Sequence, residues 1–141
     1  MIHKSALFVG ASTILLVFIT SCARMPLDSE VVMTSNVIDA ALLKQSTNSG
    51  SLMVKRDIGG EQPSKCVVRV KLDGRDVADI GQGEGVLTYP TTGDHVLGIA
   101  ATQFSCPVDA ATTVSIKQGQ KSSYRVMYQK YVGFVLQPAV Q

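Results

Sequence analysis

The sequence predicts an all-β protein whose main domain, at residues 51–137, is a small antiparallel β-sandwich or a small barrel. Three observations lead to this fold class. From residue 51 onward apolar side chains recur at every second position, turn-forming residues separate these stretches, and glycine is frequent, with 12 in 141 residues. Short strands at such spacing are typical of sandwiches and small barrels.

Residues 1–21 have the composition of a secretory signal peptide. Lys4 gives the tip a positive charge, residues 6–19 are almost wholly apolar, and Thr20 and Ser21 are small. This apolar run is shorter than the about 20 residues that a membrane-spanning helix needs. The pattern therefore favours a signal peptide over a transmembrane helix.

The residues at the end of this run suggest a chemical attachment point. Ile19-Thr20-Ser21-Cys22 resembles the lipobox of bacterial lipoproteins, in which one aliphatic and two small residues precede a cysteine. The resemblance implies cleavage after Ser21, attachment of a diacylglycerol to Cys22 and acylation of the new amino group. Two or three acyl chains anchor a protein stably, whereas a single chain binds a membrane only marginally.

The residue after the lipobox bears on the membrane. Ala23 follows Cys22, and by the same resemblance the absence of Asp there implies the outer membrane, with the protein on its periplasmic face. Two alternatives stay open for residues 1–22. One is a plain secretory signal with an incidental Cys, and the other is an uncleaved short anchor.

Residues 22–50 are expected to hold the lipidated N-terminus and a flexible tether. Residues 37–45 have the apolar spacing of one or two helical turns, which predicts a short helix there. Residues 46–51 are rich in Ser, Thr, Asn and Gly, as in a loop. Such a tether lets the domain stand off the bilayer, while the alternative is that residues 37–43 pack on the domain edge.

The domain itself is predicted to contain a series of short strands. Val68, Val70 and Leu72 alternate with Arg69 and Lys71, as in a strand with one buried face. A tight turn at residues 73–74, Asp-Gly, follows that strand. Similar patterns mark the other strands: Leu52 and Val54; Val77 and Ile80; Val86, Leu87 and Tyr89; His95, Leu97 and Ile99; Val114 and Ile116; Tyr124, Val126 and Tyr128; and residues 131–136.

The chain has three cysteines, Cys22, Cys66 and Cys106. If Cys22 carries lipid, two remain in an oxidising compartment, which favours a Cys66–Cys106 disulfide. Such a bond would close a loop of about 40 residues and contribute roughly 3–4 kcal/mol in the chain-entropy model. Two buried free thiols are the alternative. Neither cysteine has a partner at zinc-ligand spacing, so no metal site is expected.

A resemblance to a known family rests on motifs spread over about residues 50–136. These motifs are Val54-Lys55-Arg56-Asp57, Cys66, Val70-x-Leu72-Asp73-Gly74-x-x-Val77-Ala78, Gly83-Glu84, Gly93-Asp94-His95-Val96-Leu97-Gly98 and Cys106. Together they resemble a family of small, uncharacterised proteobacterial lipoproteins, and their cadence is similar to that of PEGA-like β-sandwich modules. The resemblance implies a sandwich fold and a place in the cell envelope. It implies no catalytic residues.

Charge and sequence motifs argue against two classes of function, nucleic-acid binding and catalysis. The chain carries 13 basic and 11 acidic residues that are well mixed, so no nucleic-acid partner is expected. No G-x-S-x-G motif is present, and His95 is the one histidine left after removal of the signal. We therefore expect no enzyme and no cofactor. His95 is interpreted as a hydrogen-bonded structural residue, with a response near pH ~6 if it is partly buried.

Three further clusters have plain interpretations. Gly81-x-Gly83-x-Gly85 lacks the Lys-Ser/Thr of a phosphate loop and precedes a strand, so it is interpreted as a connector. The aspartates 73, 76 and 79 lack the spacing of a calcium loop and are expected to cap a hairpin turn and face solvent. Residues 55–57, Lys-Arg-Asp, predict an Arg56–Asp57 ion pair or part of a partner-binding rim.

The function predicted from these features is that of a membrane-anchored envelope lipoprotein whose sandwich is a structural or protein-interaction module. The expected contact residues lie in loops at the ends of strands: Asp73, Gly74, Glu84, Asp94 and His95. Membrane lipid is the first expected partner, through Cys22, and an envelope protein or peptidoglycan is the second. The alternative is a periplasmic inhibitor of an envelope-attacking enzyme such as lysozyme, which would use a protruding loop at 81–85 or 103–109.

Overall fold

Two β-sheets pack face to face in the computed structural model, which describes residues 22–63, 65–103, 106 and 108–140. The predicted all-β sandwich is confirmed, and the two sheets do not close into a barrel. The predicted signal peptide at 1–21 lies outside the described residues. Within them, no helix has the length and hydropathy to cross a bilayer.

The elements follow the chain in this order: β1 Val32–Met33, a 3₁₀ helix Ala40–Leu43, β2 Ser51–Arg56, β3 Val68–Leu72, β4 Arg75–Ile80, β5 Glu84–Thr88, β6 Gly93–Ala101, β7 Asp109–Ile116, β8 Lys121–Gln129 and β9 Gly133–Pro138. The first sheet has the strand order β1-β5-β2-β8-β9. The second has the order β4-β3-β6-β7. The sandwich ends at residue 138, one residue beyond the predicted boundary.

The core forms where the inward positions of the two sheets meet. In β3, Val68, Val70 and Leu72 are 0%, 1% and 3% exposed, while the residues between them are partly exposed. Leu97 and Ile99 of β6 also belong to this core, each 1% exposed. The alternation in the sequence predicted these buried faces because successive side chains of a strand point to opposite sides of its sheet.

The first sheet departs from the antiparallel arrangement that the sequence predicted. Its middle strand, β2, pairs antiparallel with β5 but parallel with β8. β1 also runs parallel to β5. The strands of the second sheet are all antiparallel, as expected. Parallel neighbours need a long connection, and here the second sheet itself lies between β2 and β8 in the sequence.

Residues 22–50 differ from the flexible tether that was expected. Val32 and Thr34 donate backbone hydrogen bonds to the carbonyls of Gly83 and Gly85, at 3.1 and 2.9 Å, along the edge of the first sheet. Ile38 then donates to the carbonyl of Val77 at 2.8 Å, at the edge of the second sheet. The segment therefore closes one open side of the sandwich by satisfying backbone groups of two edge strands.

The predicted helix at 37–45 is a single 3₁₀ turn, Ala40–Leu43. Asp39 caps it, because its carboxylate accepts a hydrogen bond from the Ala41 amide at 3.1 Å. Leu42 and Leu43 pack against the core. The alternative that residues 37–43 pack on the domain edge is therefore the correct one.

The predicted disulfide is confirmed. Cys66 and Cys106 are joined with their Cα atoms 5.8 Å apart, and both residues are buried. The bond ties the entry to β3 to the connection between β6 and β7.

Candidate functional site

Four of the five predicted contact residues lie together at one end of the sandwich. Asp73 and Gly74 connect β3 to β4, and Asp94 and His95 lie at the start of β6. β3 and β6 are neighbours that run in opposite directions, so the end of one meets the start of the other. We call these four residues the turn pole.

The turn at Asp73-Gly74 has the two-residue geometry that was predicted. Asp73 has φ 51° and Gly74 has φ 78°, both in the left-handed region that a type I′ hairpin turn requires. The Asp73 carboxylate accepts a hydrogen bond from the Val96 amide at 2.8 Å, which joins the turn to β6. The turn is therefore held both by the strands it connects, β3 and β4, and by β6.

His95 is hydrogen-bonded through both ring nitrogens, as a structural histidine was expected to be. Nδ1 lies 2.7 Å from the Asp73 carboxylate, and Nε2 lies 2.8 Å from the carbonyl oxygen of Thr91. Both partners accept hydrogen bonds, so the arrangement is satisfied when both nitrogens carry a proton. Burial lowers the pKa of His95, but these hydrogen bonds and the charges of Asp73 and Asp94 together raise it above its ordinary value of 6.5.

This geometry limits the chemistry of His95. A general base needs a ring nitrogen that can take a proton from a substrate. In His95 one nitrogen faces a carboxylate and the other faces a backbone carbonyl. The imidazole therefore fits the role of fixing the turn against β6.

A cleft of roughly 390 Å³ lies beside the turn pole. Its lining includes Lys44, Arg75, Tyr89, Pro90 and His95. Asp73 also lines the cleft, where it pairs with His95, and Arg75 pairs with Asp39. The cleft is open to solvent and combines charges of both signs with the Tyr89 ring, which suits a polar group presented by a partner.

Glu84, the fifth predicted contact residue, lies at the other end of the sandwich. Its carboxylate accepts a hydrogen bond from the Gly81 amide at 2.7 Å, within the turn before β5. Gly83 in this turn has φ 72°. The predicted connector is thus a tight turn bordered by β1.

The aspartates 73, 76 and 79 were expected to cap a hairpin turn, and two of them do not. Asp76 and Asp79 lie along β4 rather than at the turn, and both pair across the sheet with Arg69. Hydrogen bonding to Asp79 raises the pKa of Arg69. These carboxylates are thus matched with a cation as cross-strand pairs. Among the described residues, no group of three or more His, Cys, Asp or Glu side chains could hold a metal ion.

The Lys55-Arg56-Asp57 stretch was predicted to form an Arg56–Asp57 ion pair or part of a partner-binding rim, and both predictions were wrong. All three residues are buried, at 2%, 0% and 0% exposure. Asp57 pairs with Arg125 rather than with Arg56. Lys55 Nζ donates to Asp28 at 2.8 Å and to the carbonyl of Pro26 at 3.0 Å, because residues 24–31 cover the outer face of β2.

Cys22 lies at the end of the sandwich opposite the turn pole, and we call this end the anchor pole. The described chain begins there with Cys22 exposed. Two residues later, Arg24 exchanges backbone hydrogen bonds of 3.0 and 2.9 Å with Ile58, just after β2. Ala23 lies so close to Gly60 that a Cβ at position 60 would be 2.6 Å from the Ala23 Cβ. The chain is therefore held to the domain almost from Cys22 itself.

Sequence patterns did not single out the turn between β8 and β9. Residues 131–136 were interpreted as one apolar segment. In the structure only the later part enters β9, and Tyr131 and Val132 are 94% and 67% exposed. Gly133, whose φ is 96°, is a turn-forming residue that the sequence does show in this stretch.

The motifs behind the proposed family resemblance occupy positions that serve the fold. Residues 70–74 form the end of β3 and its turn, and residues 93–98 form the first part of β6. Residues at these positions supply buried side chains of the core and glycines of turns. A comparison with known protein families finds no match, and a search of curated proteins finds none either.

Proposed function

We propose that this protein is a lipoprotein of the bacterial cell envelope, anchored through acylated Cys22 in the outer membrane on its periplasmic face. Its sandwich acts as a non-catalytic structural or protein-interaction module. The observation that carries this proposal is the placement of Cys22 and the turn pole at opposite ends of the domain.

The separation of the two poles follows from the strand directions. β2 starts near Thr91, where Ser49 forms a bridge, and ends beside Ile58 and Arg24 at the anchor pole. The nine residues of β6 start at the turn pole and end toward the anchor pole, a length of about 30 Å. An anchor at Cys22 therefore directs Asp94 and His95 away from the bilayer, where a partner can reach them.

The chemistry of the turn pole indicates the kind of partner. Lys44, Arg75 with its partner Asp39, and the Asp73–His95 pair border the adjacent cleft. An envelope protein or a peptidoglycan stem that presents polar groups would complement this surface of mixed charge. The Ser21-Cys22-Ala23 sequence supports the lipid anchor and its outer-membrane location, by resemblance to the lipobox.

The anchor is tested by metabolic labelling with palmitate in the native cell type. The wild-type protein should carry label, and the Cys22→Ser variant should lose it. The double variant Cys66→Ser, Cys106→Ser is the matched control, because it loses two other cysteines and should keep the label. Label that persists in Cys22→Ser would refute the anchor.

The contact surface is tested separately by photocrosslinking in intact cells. A photoreactive amino acid replaces Asp94 at the turn pole, and in a control it replaces Ala111, which is exposed on the outer face of β7. We expect a discrete crosslinked species from position 94 only. Equal or no crosslinking at both positions would exclude the turn pole as the contact surface.

A further inference from the structure

The turn between β8 and β9 presents an apolar tip at the anchor pole. It comprises residues 130–132, and its Tyr131 and Val132 side chains are the exposed ones noted above. The turn is closed by a hydrogen bond of 3.1 Å from the Val132 amide to the Gln129 carbonyl. Lys130 lines a cleft of roughly 310 Å³ together with Cys22 and Ala23, so the tip and the proposed acylation site are neighbours.

Tyr131 has a backbone conformation that is unfavourable for its side chain. Its φ is 71°, in the left-handed region, where the third residue of such a turn is commonly Gly or Asn. A bulky residue there is a genuine outlier. The turn thus holds an aromatic ring in solvent at a position where a small residue would be easier to accommodate. Strain of this kind is concentrated at functional sites.

The distance from Cys22 to the folded domain is short. Arg24 is already paired with Ile58, so two residues separate the acylated atom from a fixed point. An extended chain of two residues spans about 7 Å. A domain on so short a connection cannot stand off the bilayer, and the surface around Cys22 must lie at the level of the lipid headgroups.

We propose that the tip at residues 130–132 is a second membrane contact, whose Tyr131 and Val132 side chains enter the interfacial region of the bilayer that holds Cys22. This inference rests on the proposed lipid anchor. Tyrosine suits the interface because its ring is apolar and its hydroxyl stays hydrated. Valine adds apolar area next to it.

The charges near the tip predict the nature of the contact. Lys130 pairs with Glu61 at 3.1 Å, so the tip carries little net charge. Attraction to anionic headgroups is therefore weak, and burial of Tyr131 and Val132 must supply the contact. Because screening by salt weakens electrostatic contacts and not apolar burial, the contact should persist at high ionic strength.

The absence of tryptophan from the chain allows a direct test. The Tyr131→Trp variant carries a single Trp at the tip, and Val96→Trp places one at an exposed apolar position near the turn pole. Each lipid-bearing protein is purified from membranes and reconstituted in vesicles of phosphatidylethanolamine and phosphatidylglycerol. Matching circular dichroism and thermal midpoints show that both variants keep the fold.

We expect the Trp at position 131 to emit at shorter wavelength than the Trp at 96. It should also lose roughly half or more of its intensity when the acyl chains are brominated near the headgroup, at low and high salt alike. The Trp at 96 should be unaffected. A protein shown by mass to carry lipid at Cys22, but with position 131 unquenched, overturns this inference alone. A protein without lipid at Cys22 overturns the anchor and this inference together.

Discussion

Arg56 lies inside this small core, and no carboxylate among the described residues forms an ion pair with it. Its guanidinium donates hydrogen bonds to the Gln62 side chain at 3.2 Å and to the carbonyls of Cys66 and Pro63. It also stacks on the Phe134 ring, with Cζ 4.5 Å from the centroid. Burial lowers its pKa to about 10, while the charge of Glu84 opposes that shift. The guanidinium thus stays charged at neutral pH and holds the disulfide loop against β2.

The sequence could not predict this burial. Arg56 follows Leu52 and Val54 at the spacing of an inward face, but a charged residue at a strand end is exposed far more often than buried. Its partners are mostly backbone carbonyls, which leave no trace in the pattern of side chains. The hydrogen-bonded state of His95 was predictable, because a lone histidine after a turn has carboxylates and carbonyls nearby.

The pair of Asp73 and His95 should make stability depend on pH. The raised pKa of His95 means that its contribution is complete below the ordinary value of 6.5 and is lost as pH rises through the folded-state pKa. The hydrogen bond from His95 lowers the pKa of Asp73, so that contribution is complete above the ordinary value of 3.8. The pair therefore stabilises the fold most between these two values.

We expect the His95→Gln variant to be less stable than wild type by under about 1 kcal/mol at pH ~5.5, because Asp73 is 48% exposed and solvent screens the pair. The deficit should shrink as pH rises to about 9. Urea unfolding over a pH series measures it, with Asp94→Asn as the control for loss of a nearby charge. A deficit that does not change with pH would contradict this account of the pair.

At the level of elements, the prediction from the sequence was wrong for the N-terminal segment, residues 22–50. It pairs through backbone groups with β5 and then β4, and backbone pairing imposes no apolar period on the sequence. Its strand β1 gives no sign of a buried face, because Val32 and Met33 are both exposed although they are apolar. The strands of the second sheet were predicted well because each buries one face and shows it as alternation. The parallel pairing of β2 with β8 was missed, since register across a long connection has no local signal.

Gly85 offers a test of how firmly this segment is attached. A Cβ at this position would be 2.7 Å from Val31 Cγ1 and 2.9 Å from the Val54 carbonyl oxygen. We expect Gly85→Ala to push residues 31–34 off the sheet, lower stability by about 1–3 kcal/mol and speed tryptic cleavage after Arg24 or Lys44.

Gly98→Ala is the matched control for that experiment. Gly98 is also a strand glycine, but a Cβ there would make ordinary contacts of 3.6 Å or more. The tryptic digestion pattern of the Gly98→Ala variant should resemble that of wild type. If Gly85→Ala and Gly98→Ala digest alike, the segment does not depend on the close approach at Gly85.

For the whole molecule, the disulfide compensates for a modest core. The bonded cysteines are 40 residues apart in sequence, and a loop of that length contributes about 3–4 kcal/mol in the chain-entropy model. The Cys66→Ala, Cys106→Ala double variant should lose that amount in urea unfolding, and reduced wild type should behave like it. Equal stability of the oxidised and reduced forms would show that the bond adds nothing to the fold.

Cys22 and the turn pole lie at opposite ends of the sandwich, and composition and charge could not predict this arrangement. The lipobox resemblance was visible in the sequence, and so were the residues of the turn pole, but not their separation along the sandwich. That separation depends on which strands run together. The separation can be recognised only when the positions of β2, β3 and β6 in their sheets are known.

The parallel pairing of β2 with β8 also constrains when the protein can fold. The two strands lie about 70 residues apart in the chain, and such non-local pairing is slow to form. Because synthesis runs from the N-terminus, β2 has one edge unpaired until β8 has been made. An unpaired edge of this kind invites aggregation, so the first sheet is open to it until the C-terminal strands are in place.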